Sequence, residues 1–549
     1  MKSAQKIKVL IPYSFPKDII TLLEEHGFEV TSGAVEQENL AHVIKPYQVV
    51  VVNSNNKITS DVIDSAPNLQ YAFRAGSGYD NIDVKTATEK GITVAITPEA
   101  NVTAVAEHAF GLILVLARHL VEGDQRIHEK KWRDSSLNGF ELEGKTLGIL
   151  GFGRIGKKLA QIAKGFGMHV IAHDPFVSAG FKKKHGVQDV RLDELLSTSD
   201  IISLHIPKTP QTAYLINKKT IAKMKDTALL INTSRGGIIE ENDLIDALKN
   251  NKLGGAALDV FDSKPEKDVK SELLTVSSGK IILVPHLAAS TKESRYKSAK
   301  DAALQIISAY NSGYVRWAVN SEVKVPFESE EALEPYLQMI PRFASLAGSI
   351  LAAQAAKTID NISLSYSGDL TGYDTTPLQS AAVLPLINTV TDKKVSGLTY
   401  KTFIKKGKLL ITDSRDDSMS PISGVHRVRL AIKAGGISME IVGELTSQGP
   451  QIVKINQFND VNILLDDPNL LLVWNKDRPG AVEWVGAQAS KNSINIRNMK
   501  VIEEMSADQS TGRALMVIHL DRALTSADLD EFTASKSNIV TSVLFESHA

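Results

Sequence analysis

An α/β chain, with two successive doubly wound lobes followed by two α+β units, is what this sequence predicts, on three observations. Apolar runs alternate with helical patterns throughout the first half, as in "KIKVLIPY", "DIITLLEEHG" and "YQVVVVNS", and such alternation argues for parallel sheets with helical crossovers. A G-x-G-x-x-G turn, "GFGRIG", separates one apolar run from a helical pattern. From about Pro326 the texture changes to small-residue helices and alternating strands.

The first lobe runs through "LQYAFRAGSGYDN" and "GITVAIT". "VTAVAEHAFGLILVLARHLVEGDQRIHEKKW" follows, and reads as one long helical stretch linking the lobes. A second alternating series begins at "KTLGILGFGRIGKKLAQIAKGFGMHVIAHDP" and continues through "DIISLHIP", "ALLINTS", "GGAALDV" and "KIILVPH". These runs are apolar almost throughout, as strands covered on both faces should be. The helix after His286, "TKESRYKSAKDAALQIISAYNSG", is expected to pack back on the first lobe. Further on, "FASLAGSILAAQAA" reads as a helix, "VHRVRLAIKAGGISMEIVGEL" as strands joined by glycines, and the last segment from "NLLLVWNK" as strand, helix, strand, strand. The predicted domains are 1–100 with 287–320, then 101–286, 321–465 and 466–549.

At 549 residues the chain should hold three or four domains, because single cores rarely grow beyond about 250–300 residues. Lys plus Arg total 62 against 63 for Asp plus Glu, a balance that gives no support to a nucleic-acid or anionic-membrane partner. Cysteine is absent, which excludes disulfides, thiolate metal sites and cysteine nucleophiles. No metal site is predicted. The N-terminus lacks a signal-peptide core, and "HAFGLILVLARHL" is too short to span a bilayer. A cytoplasmic protein is expected.

The glycine turn is more than a pattern, because it follows a strand and opens a helix, and an acid, Asp174, ends the next strand. That is the context of a dinucleotide-binding, Rossmann-like fingerprint. Gly151 permits the tight turn, Gly153 lets the backbone approach a pyrophosphate, and Gly156 allows helix–strand packing. Asp174 can accept both adenine-ribose hydroxyls and would repel a 2′-phosphate, so NAD is favoured over NADP. The bland reading is a glycine turn with a surface aspartate.

Two further strand ends carry chemistry. Arg235, in "NTSRGG", can grip a carboxylate in bidentate fashion, although a surface ion pair would also account for it. His286, in "LVPHLAAS", titrates near neutral pH, as a general base should. A lone histidine is otherwise a structural one, and His108, His173 and His205 are read that way, with His205 placed near the cofactor as the exception.

"RAGSGYDNID", "GFGRIGKKLA", "NTSRGGIIEENDLIDAL", "GAALDVF" and "PHLAAST" resemble the D-isomer-specific 2-hydroxyacid dehydrogenases. "SLSYSGDLTGYDTTPLQSAAVLPLIN" and "WNKDRPGAVEWVGAQASKNSINI" are similar to the intervening domain and the ferredoxin-like ACT domain of the long-form D-3-phosphoglycerate dehydrogenases. The resemblance implies NAD-dependent oxidation of D-3-phosphoglycerate on the way to L-serine. It implies that Arg235 holds the substrate carboxylate, with the amides of Ala75, Gly76, Ser77 and Gly78, and that His286 is the acid/base. Arg154, Ile155, Asp174, Ile206, Pro207, Thr233, Ser234, Asp259 and Ser77 match cofactor-contacting positions. Asn475, Asp477 and Asn495 match positions that contact an amino-acid effector, with assembly alone as the alternative role of that domain. A homo-oligomer, a tetramer, is also implied, with contacts through about Asn101 to Trp132.

The chain departs from the family in two places. The family glutamate that pairs with the histidine falls at Lys264, with Asp262 two residues before it and Glu266 two after. Either Glu266 or Asp262 reaches His286, or the pair is absent. A lysine near the imidazole would lower its pKa, whereas a glutamate raises it. An arginine of the phosphoglycerate dehydrogenases falls at Asn53, and further basic positions fall at Asp134, Ser135 and Ser136. Arg74, Lys57 and Arg133 remain as cations. A non-phosphorylated D-2-hydroxy acid and a non-catalytic NAD- or amino-acid-binding regulator are the rival readings.

Overall fold

A computed structural model describes residues 6–262, 272–277, 279–367, 370, 373–391, 393–406, 409–419, 425–465, 469–504, 512–522, 524, 528 and 539–545. The chain divides into two compact units, Met1–Ile96 with Lys300–Ala549, and Thr97–Ala299.

The first unit opens with a parallel sheet of β1 (Ile7–Ile11), β2 (Phe28–Ser32), β3 (Val49–Val52), β4 (Tyr71–Arg74) and β5 (Thr93–Ile96), in the order β2-β1-β3-β4-β5. Val49 to Val52 are all fully buried, the unbroken apolar pattern of a strand covered on both faces. The chain returns to this sheet from Lys300 onward. Gln305 donates to the Ile96 carbonyl at 3.0 Å, and the Tyr310 ring packs against Phe28 with centroids 5.5 Å apart.

The second unit is a seven-stranded parallel sheet. Its strands are β6 (Thr146–Leu150), β7 (His169–His173), β8 (Gln188–Asp189), β9 (Ile201–Leu204), β10 (Leu229–Asn232), β11 (Gly255–Leu258) and β12 (Ile281–Leu283), in the order β12-β11-β10-β9-β6-β7-β8. The direction of winding reverses between β6 and β9. In open α/β sheets, ligands bind beyond the strand ends at such a reversal.

The long helical stretch expected before this sheet is two helices, Val102–Ala117 and Leu120–His128, bent by 60°. His119 takes a left-handed backbone, φ 51°, and the Ala117 carbonyl accepts the Phe140 amide at 3.0 Å. The helix therefore stops where a later segment takes its carbonyl. Among the described residues, no single helix is long and apolar enough to cross a membrane.

The rest of the first unit holds two more sheets. β13 (Asn361–Tyr366), β14 (Leu410–Arg415), β15 (Arg427–Ala434), β16 (Ile437–Thr446), β17 (Gly449–Ile455) and β18 (Phe458–Leu464) form a mixed sheet, β14-β13-β15-β16-β17-β18. β19 (Leu470–Lys476), β20 (Ile496–Glu503), β21 (Arg513–Leu520) and β22 (Ile539–Phe545) form an antiparallel one, β20-β21-β19-β22. Strand, helix, strand, strand is the order read from the sequence here. The two sheets share a core. Leu470, Leu472, Leu515 and Val517 from the last sheet lie in one cluster with Ile340, Phe343 and Leu351 of helix Glu330–Ala353. The opposite face, Leu471, Val473, Met516 and Ile518, packs on helix Ala481–Lys491.

Candidate active site

The strand ends of the second unit bring several of the expected residues together. Gly151 follows β6 with φ 95°, a backbone that L side chains rarely adopt. A Cβ there would stand 2.5 Å from the His205 carbonyl oxygen, and one at Gly156 would fall against the Gly151 carbonyl. A Cβ on Gly153 would meet nothing within 4 Å. Two glycines thus permit close packing, while the third leaves open space before helix Arg154–Gly165, whose N-cap has no side-chain hydrogen bond. Arg154 and Ile155 form the first turn of that helix, partly exposed. Amides at such a helix start suit a phosphate.

Asp174 follows β7. Its carboxylate accepts the Phe152 amide at 2.8 Å and the Phe176 amide at 2.9 Å, which fixes its direction and leaves lone pairs for two hydroxyls. Ile206 and Pro207 follow β9, and the Pro207 carbonyl accepts the Thr212 hydroxyl at 2.6 Å. His205 is tied to Ser203 at 2.8 Å, and burial pushes its imidazole down to about 4. It is a neutral ring at physiological pH.

Asn232 ends β10 and organises the next turn. Its amide oxygen accepts the Ser234 amide at 3.0 Å and hydroxyl at 2.8 Å, and its nitrogen donates to the Arg235 carbonyl at 2.9 Å. Thr233 is 7% exposed, and its hydroxyl has no protein partner among the described residues. A buried hydroxyl without a partner is costly, and a bound ligand can relieve that cost. The open glycine, the aspartate and this hydroxyl together fit a dinucleotide.

Arg235, half-buried, donates from Nη1 to the Ser234 carbonyl at 2.8 Å. Gly236 lets its turn lie against the Phe261 carbonyl, where any Cβ would collide. Asn232, Leu258 and Leu283 are in register across β10, β11 and β12. Arg235 and His286 each stand three residues beyond that line, on strands about 10 Å apart.

Asp259 lies between them, fully buried. Its carboxylate accepts the Leu287 amide at 2.6 Å and the Ala288 amide at 3.1 Å, and its carbonyl accepts the His286 amide at 3.1 Å. His286 itself is exposed, with a left-handed φ of 54°. Asp259 thus anchors the loop that presents the imidazole. His108, from the preceding helix, points Nε2 to 3.5 Å from the same carboxylate.

Lys264 and Glu266 lie outside the described residues. For Asp262, the other candidate partner of His286, burial and the Glu240 charge raise the carboxyl against the Lys208 charge. The Asp262 amide donates to Glu241 at 2.8 Å.

In the first unit, the Ala75 amide donates to the Val52 carbonyl at 2.9 Å. It extends the sheet, so of the 75–78 amides expected to hold a carboxylate, that of Ala75 is already engaged. Arg74 donates to the Ala75 carbonyl. Asn53 accepts the Asn55 amide through its side chain at 2.8 Å and the Asn81 side chain through its carbonyl at 2.8 Å. Tyr13, beyond β1, has its hydroxyl oxygen shut off from solvent without a hydrogen-bond partner among the described residues, and burial raises its pKa against the nearby Arg74 charge.

The effector positions are not brought together within one chain. Asn475 is 1% exposed and pairs with Ala514 at one end of the β19–β21 ladder. Asn495 precedes Ile496, which pairs with Leu520 at the other end, and its amide donates to Asp521 at 2.9 Å. Asp477 is exposed, and its amide donates to the Gly512 carbonyl at 2.5 Å.

Asn232 was legible as a polar residue closing an apolar strand. Tyr13 and the anchoring role of Asp259 were not, since both depend on which strand ends are neighbours.

Residues 110–288 match the family described as D-isomer specific 2-hydroxyacid dehydrogenase, NAD binding domain. A D-3-phosphoglycerate dehydrogenase of Synechocystis sp. is 36% identical over 97% of this chain and 93% of its own length. The chain belongs to the D-3-phosphoglycerate dehydrogenase family. Another member, from Archaeoglobus fulgidus, is 32% identical over 96% of this chain and 98% of its own. Among solved structures, a glyoxylate reductase from Paecilomyes thermophila superposes with a TM-score of 0.53 at 28% identity, covering 58% of this chain and 99% of its own. A D-lactate dehydrogenase from Aquifex aeolicus complexed with NAD and lactic acid gives 0.50 at 28%, covering 55% and 95%. Like these relatives, this member of the D-3-phosphoglycerate dehydrogenase family is an NAD-dependent D-2-hydroxyacid dehydrogenase.

Proposed function

We propose that the chain oxidises D-3-phosphoglycerate to 3-phosphohydroxypyruvate, the first step of phosphorylated L-serine biosynthesis. The full-length likeness to relatives of that name carries the reading, and the strand-end trio Arg235, Asp259 and His286 supports it. Arg235 anchors the C1 carboxylate with two parallel charge-assisted hydrogen bonds. His286, held by the loop that Asp259 anchors, takes the C2 hydroxyl proton as general base. NAD, when bound, supplies the hydride acceptor. Thr233 meets the cofactor with a hydroxyl that otherwise lacks a partner, and Asp174 accepts its adenine-ribose hydroxyls. Gly76, Ser77 and Gly78 are the further carboxylate donors of this proposal. An amino-acid effector at the C-terminal sheet and a homo-oligomer belong to it as well.

A second reading, a non-phosphorylated D-2-hydroxy acid, is favoured by one observation. In the segment where the family places basic residues, Asp134 is ion-paired to Arg126 at 2.7 Å, and its carboxyl is held down to about 2 by Ser136 and Arg126. Arg126 is thereby compensated by Asp134 and Glu122 and is not available there as a bare cation for a phosphate, while Asp134 adds a negative charge. Rates with D-3-phosphoglycerate against a panel of D-2-hydroxy acids decide between the two. A strong preference for an unphosphorylated acid ends the first reading. Turnover that disappears in Arg235→Ala and His286→Ala dismisses a purely regulatory role.

A further inference from the structure

Lys182 is a lysine the chemistry above does not use, and it is 1% exposed. Its neighbours Lys183 and Lys184 on helix Ala179–Lys184 are exposed in the ordinary way. Burying an ammonium costs several kcal/mol unless it is well compensated. Here Nζ donates to the backbone carbonyl of Asp174 at 2.8 Å and is ion-paired with Asp189 on the edge strand β8. The carboxylate of Asp174 is meanwhile held by the Phe152 amide, inside the glycine turn, and by the Phe176 amide. Asp174 is therefore tied at its side chain from one direction and at its peptide from another.

We propose that Lys182 is a positioning residue for Asp174 and thereby a determinant of cofactor specificity, setting how firmly the chain grips the adenine-ribose hydroxyls and refuses a 2′-phosphate. This rests on the reading of Asp174 as the ribose acceptor. A buried cation near this site would by itself attract a 2′-phosphate. Its charge, however, is compensated by Asp189 and its donors point to the Asp174 carbonyl and to β8, so its effect reaches the cofactor only through the aspartate.

Lys182→Met, Asp174→Asn and the double variant test this in the full-length enzyme, with dissociation constants for NAD and NADP measured by titration and kcat measured at saturating NAD. Lys182→Met is expected to weaken NAD binding by about tenfold, the size of one lost hydrogen bond to a charged group. NADP binding should weaken less, so that the preference for NAD narrows, and kcat should stay within about twofold because the reacting groups are untouched. In the Asp174→Asn background, Lys182→Met should change the NAD constant by less than about twofold, since coupled residues are not additive. Equal losses for NAD and NADP, or full additivity with Asp174→Asn, would mean a merely structural lysine and overturn the proposal. If Lys182→Met does not fold, Lys182→Gln, which removes the ammonium but keeps a shorter polar side chain, must narrow the preference in the same direction, and an unchanged preference overturns the proposal. An Asp174→Asn variant with unaltered preference sinks the ribose reading and this inference with it. An altered one, beside an unaltered Lys182→Met, sinks this inference alone.

Discussion

The nucleotide-binding sheet and the C-terminal antiparallel sheet are both buried on two faces, yet they use their strand ends differently. In the parallel sheet every strand points its carboxyl end the same way, so Gly151, Asp174, His205, Thr233, Asp259 and His286 gather along one edge from distant parts of the sequence. In the antiparallel sheet neighbouring strands run in opposite directions, and Asn475 and Asn495 finish at opposite ends of one ladder. Direction of pairing, more than residue type, decides whether polar residues at strand ends can act together within a chain.

The largest effect that could break this comparison is at His286. His286→Ala should lower kcat by about a thousandfold, within the range of a lost general base, while the NAD dissociation constant measured by titration stays near the parent value. A loss of NAD binding of the same size would show the strand edge to be one inseparable structural unit instead. In the other sheet, Leu472→Ala should cost about 3 kcal/mol of unfolding free energy through its cavity, read by denaturant titration, with NAD affinity unchanged. A change in NAD affinity there would couple the two regions and dissolve the contrast.

Next comes pH. The folded His205 is pushed down to about 4 from an unfolded value near 6.5. Between those values the unfolded chain binds the extra proton, so stability falls as pH drops through this window, by about 2–3 kcal/mol in all. His205→Gln should flatten that acid limb in melts recorded from pH 7 to pH 4, and an unaltered limb would assign it to other groups. The smallest effect is expected at His108, whose Nε2 stands 3.5 Å from Asp259. His108→Ala should lower kcat by up to about fivefold, the scale of one part-exposed electrostatic contact, and leave the melting temperature nearly unchanged. A parent-like kcat would show that Asp259 holds the His286 loop without help from that ring.

Much of the first comparison was readable in advance. The glycine turn with Asp174 after the next strand announced its cofactor, because that backbone geometry admits few other residues. Arg235 and His286 stood out as a cation and a titratable ring at the ends of apolar strands. The single helix expected from Val102 onward failed at His119, where the Ala117 carbonyl accepts the amide of Phe140, a distant donor that no local pattern reveals.

Local chemistry in the sequence therefore determined the strands, the turn, the cofactor class and the residue types fit for hydride chemistry, since each depends on residues a few positions apart. The fold alone decided who meets whom: that Asp259 anchors the loop of His286, that Lys182 reaches the peptide of Asp174, and that the last sheet shares its core with helix Glu330–Ala353. Those contacts follow from strand order and helix packing, which bring together groups that no sequence spacing relates.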